Sequence, residues 1–206
     1  MPIEAVVFDV GNVLIEWQPE RAYDALIGEA RRKAMFAELD LHDMNNDVDL
    51  GAPLKDRVYA FAEENPKWRD EIRMWHDNWF DLASPAIDHS WHLLRALRKR
   101  GVPVFALSNF GDDIWDRASE HYEILKEFDR YFISGKLGHV KPYNRIYEIV
   151  EEDSAIEPDR LLFADDREDN IAMARARGWK THLFTDAQGW AERLVSEGLL
   201  TTEEAK

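Results

Sequence analysis

The sequence predicts an α/β protein with a Rossmann-like parallel sheet as its core and a small helical segment inserted after the first strand. Two observations carry the prediction. Five short apolar runs rich in β-branched or aromatic residues alternate with amphipathic stretches, and one long interval, residues 20 to 84, breaks that alternation with helix-like spacing alone. Continuous apolar runs are the mark of parallel strands buried on both faces.

Taken in order, the predicted strands are 5–8, 102–107, 131–133, 161–164 and 180–184. The helical stretches between and after them are 87–100, 142–151, 170–177 and 188–197, and glycine follows three of them at Gly101, Gly178 and Gly198. Within the long interval, 21–38, 54–64 and 68–82 have helical apolar spacing. Prolines and glycines at Pro19, Gly51, Pro53, Pro66 and Pro85 punctuate its edges and internal turns. The expected division is therefore a core of residues 1–16 and 85–206 and a helical insert of 17–84, joined near Glu16 to Pro19 and at Ser84 and Pro85. There is no internal repeat or low-complexity tract.

Composition narrows the function classes. The 206 residues contain 41 acidic and 26 basic side chains, a formal net charge of -15 that repels a nucleic-acid backbone. The same field repels a phosphorylated ligand, so any phosphate site needs a local cation or lysine. No cysteine is present, which excludes disulfides, thiolate metal sites and cysteine nucleophiles. The apolar run 5–8 is broken by Asp9 and lacks a basic leader, and no segment approaches the roughly 18 apolar residues that span a bilayer. The expectation is a soluble cytoplasmic protein with neither nucleic-acid nor membrane partners; oligomeric state is not legible.

In parallel α/β sheets ligands sit beyond the carboxyl ends of the strands. Four such places carry polar residues here: Asp9 after the first strand, Ser108 and Asn109 after the second, Lys141 before a helix, and Asp165 with Asp166 after 161–164. Each alone is most simply a capping or solvated residue. Together, Phe8-Asp9-Val10-Gly11-Asn12-Val13-Leu14, Ala106-Leu107-Ser108-Asn109, Gly138-His139-Val140-Lys141-Pro142 and Phe163-Ala164-Asp165-Asp166-Arg167-Glu168-Asp169-Asn170 resemble, in order, the four motifs of the haloacid dehalogenase superfamily.

The resemblance implies a Mg²⁺-dependent phosphatase acting on a small phosphorylated metabolite. Asp9 would attack phosphorus and form an aspartyl-phosphate, splitting one difficult displacement into two. Asp9, the Gly11 carbonyl and Asp166 would hold the ion, with Asp165 as a supporting or alternate ligand. Ser108 and the Asn109 backbone would bind phosphoryl oxygens, and Lys141 would neutralise their charge. Phosphatases of the family usually carry a second aspartate, a general acid, two positions after the nucleophile; here that position is Gly11. The loss is worth about 10²–10⁴-fold. Bacterial glucose 1-phosphate phosphatases and the phosphatase domain of soluble epoxide hydrolases resemble this chain in the fourth motif and the insert. That points to a hexose 1-phosphate, whose leaving group needs little protonation; alternatively, Glu16 substitutes for the acid. The competing functions are a haloacid dehalogenase, for which the paired aspartates would serve no purpose, and a catalytically inactive binding protein of the same fold.

The insert resembles a cap closing over the site, and it is rich in aromatic residues, most of which are expected to be its own core. Trp75, His76 and Trp79 are the candidates for substrate contact, with His42, Asn45 and Asn46, in a turn-prone stretch, as further polar contacts. His89 and His92 share a helix face and read as a solvated pair rather than as metal ligands.

Overall fold

The first apolar run does form a strand, β1 (Ala5–Phe8), in which every residue is buried. Beyond Asp9 the chain turns through Asn12, which takes a positive φ of 55°, into β2 (Ile15–Trp17). Six helices follow: α1 (Pro19–Ile27), α2 (Glu29–Glu38), α3 (Leu41–Asp49), α4 (Leu54–Glu64), α5 (Arg69–Asp77) and α6 (Trp79–Leu82). The chain then returns as β3 (Ala83–Ala86), antiparallel to β2. This architecture is that of a computed structural model, which describes residues 2 to 206.

Three sequence expectations are corrected here. The stretch 21–38 is two helices, because Gly28 separates them at a φ of 83°, in the left-handed region that glycine enters without steric cost. The stretch containing His42, Asn45 and Asn46 is helical, not a turn. Its Leu41, Met44 and Val48 recur at helical spacing and are buried, and the Asp40 side chain caps the first turn by accepting from the Asp43 N–H at 2.8 Å. The β2–β3 ribbon escaped the sequence reading because each strand is three or four residues long and finds its partner across the whole helical segment.

The remaining elements are α7 (Asp88–Lys99), β4 (Val104–Ser108), α8 (Asp112–His121), β5 (Arg130–Ile133), the short α9 (Ser134–Leu137), α10 (Asn144–Ser154), β6 (Leu161–Asp165), α11 (Glu168–Ala176), β7 (Lys180–Leu183) and α12 (Ala187–Ser196). They alternate as read, with two helices, α8 and α9, that the sequence reading did not assign. The five long-range strands make one parallel sheet in the order β5-β4-β1-β6-β7. Alternation along β1 feeds two cores: Val6 and Phe8 pack with the helical segment, α7 and α12, while Ala5 and Val7 pack with Tyr147, Ile171 and Trp179 on the other face. His89 and His92 are not simply solvated. Their ring nitrogens meet the carbonyls of Ala205 and Glu204 at 2.8 and 2.9 Å and tie the last residues to α7.

What positions the site is the sheet order. The chain leaves β1 for β4 on one side and later returns to β6 on the other, so β1 is the switch point, with a crevice at its carboxyl end. Register puts Phe8 opposite both Ala106 and Ala164, so Asp9, Ser108 and Asp165 come to the same edge of the sheet.

Candidate active site

Asp9 follows the last residue of β1 and is 7% exposed. Its Oδ1 accepts from the Val10 N–H at 2.7 Å and from the Ser108 hydroxyl at 2.8 Å, and lies 2.9 Å from the Lys141 Nζ. The three donors come from β1's own turn, the end of β4 and the segment before α10, so the carboxylate is oriented by three separate parts of the chain. Lys141 Nζ also donates to Asp165 Oδ2 at 2.6 Å. Asp165, wholly buried at the end of β6, takes the Arg167 N–H at 2.8 Å and the Asn170 amide at 3.0 Å. Asp166 accepts from the Asn12 amide at 2.9 Å.

Carboxylate oxygens of Asp9, Asp165 and Asp166 lie within 4.8 Å of one another. Three carboxylates against the single ammonium of Lys141 leave a net charge of about -2 if all are ionised (three minus one). Burial accordingly pushes the Asp9 carboxyl up to about 7, Lys141 pulls against that, and the charges of Asp165 and Asp166 add to it. Asp166 is raised as well, chiefly by burial. Burial opposes the charge on Lys141, yet Asp165 and Asp9 outweigh it and keep the ammonium protonated above its ordinary range. An oxygen-only donor set carrying excess negative charge suits a hard divalent cation such as Mg²⁺. Asp9, Asp165 and Asp166 would hold it, with main-chain oxygen available from the Val10 to Gly11 turn on the same cavity wall.

The site opens into a cavity of about 390 Å³ between the sheet edge and the helical segment. Of the residues singled out from sequence, Asp9, Gly11, Glu16, His42, Asn45, Asn46, Trp79, Ser108, Asn109, Lys141 and Asp166 line it. Asp165 lies beneath the lining. Two expectations fail. Trp75 is fully buried in the helical segment and spends its Nε1–H on Asn45 Oδ1 at 2.9 Å. His76 points away, pairing with Asp77 at 2.7 Å and with Arg117. Spacing alone did not tell the inward face of α5 from the cavity wall. Glu16 reaches the wall, but its carboxylate is engaged by Arg21 at 2.5 Å, and Arg21 also bonds the Ser84 carbonyl, so the glutamate is turned toward the β2–β3 junction. The Asn109 side chain is occupied by the backbone of Lys141, donating to its carbonyl at 2.9 Å and accepting from its N–H at 2.8 Å. It holds the lysine's segment in place.

Three further residues were missed. Asn12 supports Asp166 and accepts the Trp17 N–H; Asn170 supports Asp165; and Asp49, the last residue of α3, lines the cavity. The two asparagines stand inside the quoted motifs and were legible there as hydrogen-bonding partners. Asp49 carries no signal in sequence.

A family profile of haloacid dehalogenase-like hydrolases matches residues 3–178. The chain belongs to this family. It is thus a haloacid dehalogenase-like hydrolase, and its similarity to known proteins runs over most of its length. A D-ribitol-5-phosphate phosphatase of Bacteroides thetaiotaomicron is 26% identical, with 94% of this chain and 97% of that protein aligned. A haloacid dehalogenase family enzyme from the same organism superposes with a TM-score of 0.71 at 23% identity, covering 94% of this chain and 99% of that one. Its wild-type form in complex with magnesium and inorganic phosphate superposes at 0.63 with 24% identity, covering 87% and 93%. The family assignment does not extend to the glucose 1-phosphate subgroup that the sequence suggested.

Proposed function

We propose that this hydrolase is a Mg²⁺-dependent phosphatase of a small sugar or sugar-alcohol phosphate, with Asp9 as nucleophile. The observation that carries the reading is the convergence of Ser108 and Lys141 on Asp9, across from Asp165 and Asp166, at the bottom of a cavity sized for a metabolite. Bound Mg²⁺ would neutralise carboxylate and phosphoryl charge so that two anions can meet. The chain's own residues do the rest. Lys141 and the Ser108 hydroxyl hold Asp9 with one oxygen engaged, and they remain within reach of phosphoryl oxygens as the group transfers. Asn109 fixes Lys141 from behind, and Asn12 and Asn170 fix Asp166 and Asp165. The helical segment of residues 17–84 acts as a cap that covers the phosphate from water, with His42, Asn45, Asn46 and Trp79 presented to the rest of the substrate.

Two substrates are worth separating: a hexose 1-phosphate, which suits a site lacking an acid at position 11, and a pentitol 5-phosphate, the substrate class named for the curated relative. The test is phosphate release from a panel of sugar and polyol phosphates with and without Mg²⁺. Turnover that requires Mg²⁺ and vanishes in Asp9→Asn supports the reading. Full activity in Asp9→Asn, or hydrolysis indifferent to chelation, would refute it.

A further inference from the structure

An alkyl phosphate leaves as an alkoxide unless something protonates it, and Gly11 offers no side chain for that task. Glu16, the nearest sequence candidate, is held by Arg21 at the edge of the cavity. Apart from Asp9 and Asp166, already assigned, one other carboxyl among the described residues lines the same space. Asp49 terminates α3 and lines the same cavity as Asp9, Gly11 and Lys141.

Its placement is built by tight contacts between α3 and the core. The Ser134 hydroxyl donates to the Asp49 carbonyl at 2.6 Å while accepting the Phe110 N–H at 2.9 Å, so one hydroxyl joins the end of α3 to the segment after β4. The approach is possible only because a glycine stands on each side of the contact, Gly111 on the core and Gly51 on the helical segment. A Cβ on Gly111 would meet Val48 Cγ1 at 2.6 Å, and one on Gly51 would meet the Gly135 carbonyl at 2.8 Å. The side chain is oriented in turn: the Asn45 amide donates to Asp49 Oδ1 at 3.3 Å, and Trp75 Nε1–H fixes the Asn45 oxygen, which sets which way that amide faces.

We propose that Asp49, supplied by the inserted helical segment, is the general acid and base that replaces the side chain absent at Gly11. The inference rests on the phosphatase reading above. In the first half-reaction an Asp9 oxygen forms its bond to phosphorus as the bond to the leaving oxygen breaks, and the Asp49 carboxyl gives its proton to that oxygen. In the second, Asp49 as carboxylate takes a proton from the attacking water; the Asp9–phosphorus bond breaks, and inorganic phosphate leaves with both carboxyls restored. Burial raises the Asp49 carboxyl to about 7, with Lys141 and Asn45 pulling the other way, so both protonation states are accessible near neutrality.

The test compares an alkyl phosphate, glycerol 3-phosphate or a substrate from the panel, with 2,4-dinitrophenyl phosphate, whose leaving group needs no proton. Asp49→Asn is expected to lower turnover of the alkyl ester by about 10²–10⁴-fold. The pre-steady-state burst of dinitrophenolate should stay within about tenfold of wild type, since acid catalysis contributes little there. Asp49→Ala should follow the same pattern. A Cβ on Gly11 meets only Trp17 Cβ, at 3.8 Å, so Gly11→Asp is accommodated and should restore alkyl-ester turnover to the Asp49→Asn variant. Wild-type alkyl-ester turnover in Asp49→Asn overturns the inference while leaving the phosphatase reading intact. So does an equal loss on both esters in a variant at least as stable as the parent. No hydrolysis of any ester by the wild-type protein with Mg²⁺ overturns both.

Discussion

Asp49→Asn should stabilise the folded protein at alkaline pH while it impairs catalysis. The carboxyl is raised from 3.8 to about 7 by burial, so the native state holds a proton that the unfolded chain has already lost over that window. Stability therefore falls as pH rises from about 4 to 7, because the unfolded state binds fewer protons there than the native state. Below the lower value both states are protonated and aspartate resembles asparagine; above the upper one the folded protein carries an unfavourable buried charge. The rise from 3.8 to about 7, at about 1.36 kcal/mol per tenfold change in proton affinity, sets a ceiling of about 4 kcal/mol. The side chain is half-buried and opens onto a water-accessible cavity, so about 2 kcal/mol is the expected difference. Lys141 is the charge acting on it, and the Asn45 amide its hydrogen-bond donor. Urea denaturation of both proteins across pH 5 to 8 measures the effect. The variant's advantage should grow through that range and correspond to a Tm gain of roughly 4–8 °C at pH 8. An offset independent of pH, or an advantage that shrinks toward pH 8, would refute the reasoning.

Lys141→Met removes the ammonium shared by Asp9 and Asp165 and leaves both carboxyls buried without a partner. It should cost about 3–5 kcal/mol in urea melts run with chelator and lower turnover by about 10²–10³-fold. Mg²⁺ at a hundredfold excess over its Kd should stabilise the wild-type protein by about 2.7 kcal/mol, read as a Tm increase, and Asp166→Asn should abolish most of that increase. Trp75→Phe deletes the hydrogen bond to Asn45 without touching the cavity, so it should cost about 1 kcal/mol of stability and lower kcat with KM little changed. A Trp79 substitution, at the cavity wall, should instead raise KM.

The sheet strands were legible because a strand buried on both faces has to be apolar, and β1 is so throughout, β4 up to Ser108 and β6 up to Asp165. The positions of Asp9, Ser108, Lys141 and the Asp165–Asp166 pair were legible for a related reason. Each stands where an apolar run stops or a helix begins, and parallel topology brings such ends together. The helical segment was legible as helices but not in its boundaries. Gly28 divides 21–38 only because the chain takes a left-handed turn there, and α3 looked turn-prone because its three buried residues, Leu41, Met44 and Val48, are outnumbered by polar ones.

What sequence by itself determined is therefore the sheet and the set of groups at its edge, since both follow from local pattern: apolar runs, and the residue types at their ends. Only the tertiary structure decided what faces that edge. Trp75 turns inward and His76 outward, while Asp49, unmarked in sequence, is brought to the cavity wall by Gly111, Gly51 and the Ser134 hydroxyl. Those contacts join residues some 60 to 90 positions apart, where glycine leaves room for the close approach. Helical periodicity fixes which residues share a face of one helix, but not which face of that helix meets another part of the chain.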